Sequence, residues 1–143
     1  MRYAFHTLDV FTRQIFGRNP LAVLPDARGL TATQMQQIAR EFNLSETVFV
    51  LPVVEPAHTR RLRIFTPAAE LPFAGHPTLG AAWLLVAIGT IPARVPTTAL
   101  VFEEGVGPVT VDVAVENGQP TFARLTAARL PVRGPAPPDP ARL

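Results

Sequence analysis

The chain has 143 residues, a hydrophobic fraction of 48% and a formal net charge of +2, enough for one compact core. It contains no cysteine, which excludes disulfides, zinc–thiolate centres and every thiol-based mechanism. All 13 basic residues are arginine and only Arg60, Arg61 and Arg63 cluster, too little for a nucleic-acid-binding stripe.

Met1–His6 reads as the start of a strand and not as a signal sequence, and no apolar run is long enough to cross a membrane. A cytoplasmic protein with no membrane partner is the expectation. Tyr3–Phe11 alternates and predicts a strand. Thr12–Pro20 predicts a loop, and Leu21–Leu24 a short strand closed by Pro25-Asp26. Thr31 and Gln34 form a capping box, and Leu30 with Met35 a hydrophobic staple. They open a helix whose buried stripe is Met35, Ile38, Ala39 and Phe42, closed by Asn43 in a left-handed conformation.

Thr47–Val54 and Thr59–Thr66 predict two more strands, with Pro67–Ala74 a loop after them. Next comes the most informative stretch, Gly75-His76-Pro77. Proline fits the first turn of a helix, so His76 reads as N-cap and Pro77 as the first helical residue. Behind it, Ala81–Ile88 is apolar on every face, which predicts a buried helix with Trp83, Leu84 and Ile88 in the core. Thr97–Glu103 and Val109–Glu116 predict a hairpin, and Asn117-Gly118 a tight turn into Thr121–Thr126. These elements predict an α+β fold: a curled, mostly antiparallel sheet wrapped around the central helix, with the other helix outside. Residues 1–129 would form the domain. Residues 130–143, with five prolines, would form a stiff linker.

Few residues point to chemistry. If Val48 and Val50 face the core, two-residue alternation puts Glu46 on the same face. A partly desolvated carboxylate there is a usable proton carrier, although a solvated loop acid is the simpler reading. His76 reads as a helix cap or as a neutral imidazole that hydrogen-bonds a substrate oxygen, beside first-turn amides able to hold a carboxylate. Asn19 reads as a turn residue, Glu70 as a surface acid, and His6 and His58 as strand residues. No metal triad, phosphate loop, dinucleotide fingerprint or serine-nucleophile elbow is present.

Four segments carry a resemblance: Asp9–Thr12, Phe16–Val23, Asn43–Phe49 and Ile64–Gly80. Together they closely resemble the N-terminal half of the PhzF-like phenazine-biosynthesis proteins, in the diaminopimelate-epimerase-like superfamily. The resemblance implies two similar domains, each a sheet around a helix, with the active site between them. It implies cofactor-free proton transfer between carbons of a small carboxylate substrate, with no metal. Glu46 would be the acid/base, with His76 and Gly75 in the same pocket and Asn19 and Ser45 as further contacts. The thiol pair of the true epimerases is absent, as in PhzF-like members. The second domain of the family is absent from this sequence, so the expectation is either a homodimer that rebuilds the cleft or a non-catalytic domain or interaction module. A hot-dog-type thioesterase, which also wraps a sheet around a helix, fits the motifs less well.

Overall fold

A computed structural model describes residues 2–126 and Gly134. The chain begins with β1 (His6–Asp9) and β2 (Pro20–Leu24), an antiparallel pair. Helix α1 (Ala32–Phe42) leads to β3 (Glu46–Leu51), which lies parallel to β2. Strand β4 (Arg60–Phe65) returns antiparallel to β3, and the two-residue β5 (Glu70–Leu71) pairs with β4. Helix α2 (Gly75–Ala87) then crosses to β6 (Thr97–Glu104), parallel to β4. Strands β7 (Gly107–Glu116) and β8 (Gln119–Thr126) complete an antiparallel meander. The sheet order is β1-β2-β3-β4-β6-β7-β8, with β5 off the path on β4.

The two parallel joints explain the layers. Parallel neighbours need a crossover, and α1 and α2 are those crossovers. Strand β4 runs opposite to β3, so crossovers of the same right hand place α1 and α2 on opposite faces of the sheet. Two cores result. The larger packs α2 residues Ala81, Ala82, Leu85 and Val86 against Val48, Val50, Leu62 and Ile64 of β3 and β4, and against Leu100, Phe102 and Val111 of the meander. The smaller packs Met35 and Ala39 of α1 against Leu24, Phe49 and Phe65 on the other face. Successive β3 residues thus alternate between the two cores, Val48 to one and Phe49 to the other. Gly80 lets α2 approach closely: a Cβ there would stand 2.7 Å from Leu21 Cδ2 and 2.8 Å from Val10 Cγ2.

The curled sheet around one helix, with the second helix outside, agrees with the expectation. Helix α1 does so in detail. The capping box of Thr31 and Gln34 is formed on both sides, and Asn43 closes the helix at φ 50°. Several expectations need correction. The N-cap of α2 is Ala74, not His76; the Thr78 N–H donates to the Ala74 carbonyl at 3.3 Å. Proline is tolerated at Pro77 because first-turn amides have no partner within the helix. Trp83 and Ile88 are not core residues but are 38% and 41% exposed. The curled sheet leaves one stripe of α2 uncovered, and Trp83 leans from it to donate its indole N–H to the Pro120 carbonyl at 3.0 Å. The first strand is limited to His6–Asp9, and the expected loop at 67–74 contains β5. His58 is in the loop between β3 and β4, not in a strand. The Pro-rich linker expected over 130–143 lies outside the described residues, Gly134 apart.

Candidate active site at the mouth of the central helix

Glu46 is the first residue of β3 and continues the inward row of Val48 and Val50. His76 is the second residue of α2. Strand and helix meet at this end of the sheet. Glu46 Oε2 lies 3.0 Å from His76 Nε2, and each side chain is 17% exposed. The contact has ion-pair distance without hydrogen-bond alignment, so both atoms are buried with no hydrogen-bond partner. Unspent polar capacity of this kind is costly in a core but suits a site that completes its hydrogen bonds with a ligand. The first turn of α2 adds the N–H groups of Gly75 and His76, which the helix ladder leaves free, at the positive end of the helix. Gly75 is half-buried, and a Cβ there would meet nothing closer than Leu125 Cδ2 at 4.0 Å. The fold therefore leaves space in front of that residue.

Ser45 and Asn19 are placed differently. Parallel pairing of Leu21 with Glu46 brings Asn19 and Ser45 to the same end of neighbouring strands. Both are exposed, and the side chain of neither makes a hydrogen bond among the described residues. The Asn19 backbone carbonyl accepts from the Val10 N–H at 3.1 Å and closes the 10–19 loop. Glu70 is bound to Arg63 through two contacts of 2.7 and 2.6 Å, and that guanidinium holds its carboxyl below the usual range. Its carboxylate is thus paired with Arg63 and not with Glu46 or His76.

Two glutamates escaped the sequence reading. Glu103 accepts from the Val54 and Glu55 N–H groups and sits 3.1 Å from His58 Nδ1, organising the loop that follows β3. Glu104 lies against Thr78 in the first turn of α2. The alternation that singles out Glu46 also applies here: Leu100 and Phe102 face the core, so Glu104 shares their face. The groove of about 410 Å³ bordered by Arg61, Arg63, Glu70, Pro72 and Glu104 is separate from the Glu46–His76 pair. Among the described residues, no group of three or more His, Asp or Glu side chains is arranged to hold a metal ion. No helix among them is long and apolar enough to cross a membrane.

Such a site can pass a proton between a carboxylate and a bound substrate, with an imidazole at contact distance and helix amides for an anion. The sequence model for phenazine biosynthesis-like proteins matches residues 8–141. An uncharacterized isomerase of Mesorhizobium japonicum is 50% identical over 86% of this chain and 39% of its own length. A trans-2,3-dihydro-3-hydroxyanthranilate isomerase of Pseudomonas chlororaphis is 42% identical over 82% of this chain and 40% of its own. Among solved structures, a PhzF-family phenazine biosynthesis protein of Bacillus anthracis superposes with a TM-score of 0.75 at 30% identity, covering 87% of this chain and 40% of that one. The chain thus spans about two fifths of the length of the curated relatives it matches.

Proposed function

The chain belongs to the phenazine biosynthesis-like protein family, and from that premise we propose that it carries the acid/base half of an isomerase site. In this reading, Glu46 takes a proton from one carbon of a small carboxylate substrate and returns it to another. The electron pair left by the first step stays delocalised in the substrate until the proton comes back. No cofactor enters the scheme. The single observation that carries it is the Glu46–His76 pair, two buried polar atoms 3.0 Å apart with no aligned partner. His76 orients the carboxylate and meets a substrate oxygen. The free amides of the first helical turn receive the substrate carboxylate. Space in front of Gly75 admits the ligand, and Ser45 and Asn19 border the entrance.

The test is turnover of trans-2,3-dihydro-3-hydroxyanthranilate, the compound named for the Pseudomonas relative. Glu46→Gln should remove nearly all activity while leaving the fold intact, because the amide has the same shape and cannot take the proton. His76→Ala should cost less, since it removes orientation and not the proton carrier. Glu46→Gln at wild-type turnover would end the reading.

A homodimer belongs to the same proposal. Phe11, Ile15 and Phe16 form an exposed apolar tip on the loop leading to Asn19, and Phe16 is 95% exposed. Such a tip is better suited to a partner than to water. The same observation favours the second reading, an interaction module without turnover. A single-chain mass by light scattering, together with no turnover, would decide for that alternative.

A further inference from the structure

One half-buried acid has no part in the proposed proton transfer. Glu104 ends β6 beneath the first turn of α2. Its Oε1 lies 2.7 Å from Thr78 Oγ, and its Oε2 is buried without a hydrogen-bond partner. Thr78 is fully buried, and its Oγ also lies 2.8 Å from the Ala74 carbonyl oxygen. A threonine hydroxyl has one hydrogen, and a carbonyl can only accept. If the hydroxyl donates to Glu104, Thr78 Oγ and the Ala74 oxygen become two acceptors facing each other at 2.8 Å. If the hydroxyl donates to Ala74, Glu104 must supply the hydrogen of its own contact and so carries a proton. Only the second arrangement satisfies all three oxygens.

We propose that Glu104 is a positioning residue: as a protonated carboxyl it donates to Thr78, which donates to the Ala74 carbonyl, and this chain sets the turn that places His76 beside Glu46. Ala74 is the N-cap and has no side chain to cap the helix. Its carbonyl receives the Thr78 N–H at 3.3 Å and the Thr78 hydroxyl at 2.8 Å, so the hydroxyl is the closer tie. Gly75 and His76 lie within the loop that this tie closes.

The surroundings leave Glu104 without a counterion. Arg63 of β4 is held by Glu70 of β5. Arg61, also on β4, is exposed and stands opposite Glu103 in register. Glu103, next along β6, turns to the 54–58 loop and His58. On α2, His76 faces Glu46, and on the meander Arg124 pairs with Asp112. Burial pushes the Glu104 carboxyl up to about 7. The sign follows: between the ordinary value of 4.5 and about 7, the folded chain holds a proton that the unfolded chain has lost, so stability falls as pH rises through that window.

The consequence for catalysis rests on the proposed acid/base reading; the protonation of Glu104 does not. The experiment therefore avoids turnover and uses the full chain. Side-chain carboxyl carbons of 13C-labelled glutamate, assigned through bonds in the wild-type protein, are followed from acid to alkaline pH. Glu104 should titrate with a midpoint near 7, and a midpoint at the ordinary 4.5 would overturn the proposal. In the same series the His76 imidazole signals should sense that titration. In Glu104→Gln they should lose the step contributed by Glu104, because the amide N–H₂ donates to Thr78 as the acid does. His76 signals that run identically in both proteins would refute the positioning role. A failure here leaves the Glu46→Gln turnover test standing, and a failed turnover test leaves this one.

Discussion

Replacing Leu85 and Ile88 in turn by alanine tests whether the sheet covers α2 on all sides or leaves a stripe open. Both residues belong to the same apolar run, and by sequence alone they look equally buried. In the structure Leu85 is fully buried among β-strand side chains, whereas Ile88, at the C-cap, is 41% exposed. Leu85→Ala removes the transfer energy of the lost carbons and opens a cavity, together about 2–5 kcal/mol. At a urea dependence of about 2 kcal/mol per molar, the unfolding midpoint falls by roughly 1–2.5 M. Ile88→Ala gives up only part of a side chain already half in water, about 1 kcal/mol or less. Far-UV circular dichroism during urea titration measures both, and emission from Trp83, the only tryptophan, supplies a second probe. Equal losses at the two positions would refute the half-covered helix.

A Cβ on Gly105 would stand 2.8 Å from the Pro72 backbone Cα, so Gly105→Ala should destabilise by about 1–3 kcal/mol, read as a lower melting temperature. Gly75→Ala has room and should leave melting unchanged or slightly raised; lowered activity in that variant would mark the approach of substrate. Glu103 is held below the ordinary glutamate value of 4.5, first by the Val54 and Glu55 amides and then by His58. Its contribution is thus present above that value and lost as pH falls through the lowered one. Protection factors at Val54 and Glu55, taken against the intrinsic exchange rate at each pH, should fall on acidification, and be low at all pH in Glu103→Ala, which has no side-chain acceptor. Unchanged protection down to global unfolding would contradict this.

What could be read in advance follows the range of the forces. Helix α1 was legible because its capping box, staple and left-handed Asn43 are encoded within a few residues of the helix. The curled sheet around α2 followed from strand patterns and one all-apolar segment. Strand β5 was not legible, because two residues in a proline-flanked stretch become a strand only by pairing with Ile64 and Phe65. Exposure of Trp83 was hidden for a similar reason: an apolar helix face does not reveal that the sheet stops short of it. At the candidate site, alternation along β3 gave the direction of Glu46, and the Gly-His-Pro motif gave the helix mouth. Their meeting at 3.0 Å depends on the long-range layering of β3 and α2. Glu104 had the same alternation signal along β6, masked by its position beside a hairpin turn.

The most direct measurement of the central claim is deuterium uptake from heavy water into trans-2,3-dihydro-3-hydroxyanthranilate, followed by mass spectrometry with wild-type protein and Glu46→Gln. A proton passing through Glu46 should exchange with solvent, so wild-type product gains deuterium at the reprotonated carbon. Glu46→Gln should form neither product nor labelled substrate. Label incorporated equally by both proteins would contradict Glu46 as the proton carrier.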